Sequence, residues 1–163
     1  MAVAPCGCGT FVGGSALIPV NGAPVQLGPS IGHRSYFGRS EGFLLGGVAT
    51  AGLPERRHRD SSRLLAEARL GYGNVPWPTK CHFGFEAWLG PALGWAPANK
   101  DSAVGWTLGF GVPYRMSRNQ QPWEVAEKVA VFPFIQPSFS LMQLVPTAGD
   151  LRVDSTFVAS LVV

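Results

Sequence analysis

Between Val104 and Tyr114 the chain keeps a strict two-residue period. Val104, Trp106, Leu108, Phe110, Val112 and Tyr114 share one parity, and Gly105, Thr107, Gly109, Gly111 and Pro113 take the other. Successive side chains of a strand point to opposite faces, so this segment predicts a strand with one continuous apolar and aromatic face. That face must meet either a protein core or lipid. The choice between those two solvents decides most of what the protein can do.

The same rule governs three more segments. Leu64, Ala66, Ala68, Leu70 and Tyr72 oppose Arg63, Glu67 and Arg69, with Leu65 as an exception. Phe83, Phe85, Ala87, Leu89, Leu93 and Trp95 alternate with His82, Gly84, Glu86, Trp88, Gly90 and Ala92. Toward the end, Leu151, Val153, Phe157, Ala159, Leu161 and Val163 alternate with Arg152, Asp154, Thr156 and Ser160. Four segments under one rule predict an all-β protein.

Charge is scarce: 46% of residues are hydrophobic and 14% charged, against about 25% charged in an ordinary soluble domain. The net charge of +3 is small and the basic residues are scattered, which excludes a typical nucleic-acid-binding surface. No stretch approaches the roughly 18 apolar residues of a spanning helix. The 163 residues fit a single domain, 1–163, with 1–9 as a flexible stretch rich in Gly and Cys. Cys6 and Cys8 are too close for an ordinary zinc pair and Cys81 is remote, so no metal site and no cofactor is expected.

With Gly, Pro, Asn and Asp as punctuation, eight strands are predicted over 10–20, 25–37, 42–53, 62–73, 81–95, 103–115, 129–145 and 151–163. One or two helical turns are allowed over 123–131. Short connections imply antiparallel neighbours, and an even number of strands permits closure into an up-and-down barrel without exposed edges. The interior of such a barrel is filled by side chains and leaves no aqueous channel.

The segment from Glu67 to Gly73, the segment from Gly105 to Arg115, the closing strand, and the basic polar turn Arg115, Met116, Ser117, Arg118, Asn119 resemble small bacterial outer-membrane β-barrel proteins. The resemblance covers about residues 25–163. It implies an integral outer-membrane protein of a Gram-negative bacterium with both termini in the periplasm and a structural, surface-interaction or lipid-contacting role. Met1 to Pro5 has neither the basic start nor the apolar stretch of a signal peptide.

In that setting Val104, Trp106, Leu108, Phe110, Val112 and Tyr114 face lipid, and Glu67, Arg69, Glu86, Arg115, Arg152 and Asp154 form a polar network in the lumen. Arg56, Arg57 and Arg59 fall in an extracellular connection, where their guanidinium groups could pair with lipopolysaccharide phosphates, although an exposed loop that is merely solvated is the commoner case. Membrane lipid is thus the principal partner, and a monomer is favoured. The alternative turns the same sequence inside out. A soluble lipocalin-like barrel or β-sandwich would bury the aromatic parity and bind a hydrophobic small molecule.

A third possibility is an acyl hydrolase like the outer-membrane lipid A deacylases, on account of His33, Arg34 and Ser35. His33 and Ser35 share a strand face, and Glu41 is the available carboxylate for orienting the imidazole. The simpler expectation is a polar patch at a strand end, without catalysis. His82 near Glu86 is likewise expected to be a luminal hydrogen-bonding pair.

Overall fold

The computed structural model describes residues 7–38, 41–53, 62–74, 83–98, 100–115, 123–126, 129–131, 134–148 and 154–162. Its elements are β1 (Gly7–Pro19), β2 (Gln26–Gly38), β3 (Glu41–Gly52), β4 (Arg63–Asn74), β5 (Phe85–Ala96), β6 (Asp101–Gly111), β7 (Tyr114–Arg115), β8 (Trp123–Ala126), β9 (Val129–Val131), β10 (Phe134–Ala148) and β11 (Asp154–Val162). Every pairing is antiparallel. The order β11-β1-β2-β3-β4-β5-β6-β10 closes on itself through β10–β11, and β7 continues β6 beside β10. The expected eight-stranded up-and-down barrel is therefore borne out.

Alternation fixes which residues point inward. In β5 the exposed and buried positions alternate without a break from Phe85 to Ala96. The inward parity fills the barrel in layers. Toward the end bearing the β1–β2 and β5–β6 connections, Leu17, Leu65, Ala92, Ala103, Met142, Leu144 and Val158 form one apolar cluster. Toward the end bearing the β2–β3 connection stand Arg34, Tyr36, Glu86 and Gln136, all buried. Close packing of this interior relies on inward glycines. A Cβ on Gly109 would lie 2.5 Å from Trp88 Cζ2, so the indole lies over bare backbone.

Three sequence expectations need correction. Residues 123–131 form no helical turn in the described positions: β8 and β9 pair as a small hairpin, with Trp123 opposite Val131. Their β-branched and aromatic residues suit a pleated ladder better than a short isolated helix, whose nucleation is costly. The long strand expected from Val129 is divided, and the barrel strand β10 begins only at Phe134. Finally, the chain is already a strand at Gly7, paired with Tyr36, so 7–9 belong to the barrel. Backbone hydrogen bonds to β2 hold these residues although they carry no apolar pattern.

Proline also leaves a mark. Pro91 lacks an N–H, and the β4–β5 pairing is interrupted between Glu67–Ala92 and Leu70–Leu89 while its register stays the same.

Candidate functional site

The lumen holds two charged clusters. Glu67 and Arg69 are two residues apart on β4 and so share its inward face. Arg69 Nε donates to Glu67 Oε1 at 2.7 Å and its Nη2 donates to the same oxygen, while Thr107 Oγ1 of β6 donates to Oε2 at 2.7 Å. The guanidinium also stacks over Trp88, 3.9 Å from the ring centroid, a cation–π contact.

The second cluster ties three strands together. Arg34 Nη1 of β2 donates to Glu86 Oε1 of β5 at 2.7 Å, and also to Gln136 Oε1 of β10. Gln136 Nε2 returns a bond to Glu86 Oε2 at 2.6 Å, and the Tyr36 hydroxyl donates to Oε1. Glu86 is 1% exposed and Gln136 1%, so these bonds replace water for a carboxylate that has none. Buried ion pairs of this kind add little net stability, but breaking one strands its partner at a cost of about 3–5 kcal/mol. Neither cluster presents an activated nucleophile. Both carboxylates are consumed as hydrogen-bond acceptors.

Glu67, Arg69 and Glu86 thus stand inside the barrel. Arg115 pairs with Phe134 through its backbone in β7, and Asp154 pairs with Leu144 at the start of β11. The side chains of both lie outside the described set, as does Arg152. Reading the sequence missed Arg34, Tyr36, Gln136 and Thr107 as network members. The signal was present in β2, where Ser30, Arg34 and Tyr36 take the parity opposite Leu27 and Ile31. Interruption by Gly28, Pro29 and Gly32 hid that alternation.

The outer wall is apolar. Val104, Trp106, Leu108, Phe110, Val112 and Tyr114 all point outward, with relative exposures between 37% and 55%. Phe43, Tyr72 and Phe85 form a row of aromatic contacts, with centroids 6.4 and 6.3 Å apart, near the end where β2 meets β3. Phe83 and Tyr114 continue it at 4.8 Å.

The suggested hydrolytic trio is not assembled. His33 and Ser35 lie on the outward face of β2, where His33 Nδ1 is 3.2 Å from Thr10 Oγ1. His33 pairs with Gly47 of β3, whereas Glu41 pairs with Asn74 at that strand's far end. Six residues of strand separate Glu41 from that position, or about 20 Å. The partner foreseen for Glu86, His82, lies outside the described residues, and so do Arg56, Arg57 and Arg59. Among the described residues no group of three His, Cys, Asp or Glu could hold a metal ion.

Charged clusters buried within and a band of exposed large apolar side chains without are the reverse of a soluble barrel's arrangement. The barrel is similar to Ail. The crystal structure of Ail, the attachment invasion locus protein of Yersinia pestis, matches with a TM-score of 0.60 at 13% sequence identity, over 95% of this chain and 94% of that one. The likeness to Ail is one of fold, and at that level the resemblance to small outer-membrane barrels is borne out. No protein-family model matches the sequence, and no curated protein matches it either.

Proposed function

We propose that this chain is an integral β-barrel of a bacterial outer membrane, monomeric, without an open channel, acting through its wall and connections as a structural or surface-interaction protein and not by catalysis. The observation that carries this is the outward band. Large apolar side chains such as Phe43, Leu89, Leu108 and Phe139 are at least half exposed, while Glu67, Arg69, Arg34 and Glu86 are buried. Water is a poor solvent for such a wall and hydrocarbon a good one.

A lumen filled at one end by the Leu17 cluster and at the other by the Arg34 network supports the absence of a solute path. With both termini in the periplasm, the β3–β4 connection, which carries Arg56, Arg57 and Arg59, lies on the cell surface, where lipopolysaccharide phosphates are its partner. The soluble alternative needs an open apolar cavity inside, and the inward parity instead supplies a packed apolar cluster toward one end and hydrogen-bonded charged pairs beside it.

The deciding experiment expresses the chain behind an export signal and fractionates the envelope. Heat-modifiable gel mobility and reconstitution into planar bilayers then follow. Recovery in the outer membrane with a mobility shift and no discrete conductance is expected. A monodisperse protein that needs no detergent overturns the proposal.

A further inference from the structure

We draw no further inference here: the strongest candidate, the apolar groove that the small outward residues Pro29, Ala49 and Ala66 leave on the outer wall across β2 to β4, is an unpartnered apolar face, and nothing in the structure shows what covers it.

Discussion

Arg69 is held between an acid and an aromatic ring: its Nε donates to Glu67 Oε1 at 2.7 Å while its guanidinium carbon lies 3.9 Å from the centroid of Trp88. Trp88 in turn rests on the bare backbone of Gly109. Strands β4, β5 and β6 are thereby locked in one register through three inward side chains and one missing side chain.

Gly109→Ala should destabilise the barrel by about 1–3 kcal/mol, the usual effect of forcing volume into a packed interior. The added methyl meets the rigid Trp88 indole at 2.5 Å. Gly14→Ala is the control, because nothing lies within 4 Å of a Cβ there, and its effect should stay within about 0.5 kcal/mol. Urea unfolding in lipid vesicles, followed by tryptophan fluorescence, measures both.

Arg34→Met leaves the carboxylate of Glu86 buried with Gln136 and Tyr36 as its remaining donors among the bonds described above. The expected loss is about 3–5 kcal/mol. Pairing it with Glu86→Gln should recover most of that loss, because no charge is then left behind. A double change that costs as much as the sum of the singles would show that the two side chains do not act as a pair.

Leu108→Arg separates the two solvents for the outer wall. In a bilayer an outward Arg near the midplane costs about 2–4 kcal/mol, so folding into vesicles should fall steeply. On a water-facing wall the same change at a residue 53% exposed would leave stability nearly unchanged.

Replacing Arg56, Arg57 and Arg59 together by Gln should lower binding to lipopolysaccharide and leave binding to its dephosphorylated form unaltered. The wild-type interaction should also weaken with salt, since exposed charges are screened beyond about 8–10 Å at physiological ionic strength. Surface plasmon resonance over immobilised lipid, with and without added salt, reads both effects.

Much of this structure is written in parity alone. The segment from Val104 to Tyr114 has no alternative to a strand, and the unbroken alternation of β5 puts Glu86 and Trp88 on one face and Phe85 and Leu89 on the other. Glu67 and Arg69, two apart, were bound to share a face whatever the fold. Parity is a local property, set by the pleat of the backbone, and it survives any rearrangement of the strands.

Only the closed barrel decided which face is inside, because a two-residue period is symmetric between its two faces. Closure likewise brought Arg34 and Gln136, 102 residues apart, to within bonding distance, and joined β1 to β11 through Ser15 and Ser160 at 2.7 Å. Contacts of this kind depend on strand order and stagger. Those come from the simultaneous satisfaction of every ladder around the ring, which no single segment encodes. The outward patch of small residues is of the same origin, since Pro29, Ala49 and Ala66 become neighbours only when three strands are laid side by side in register.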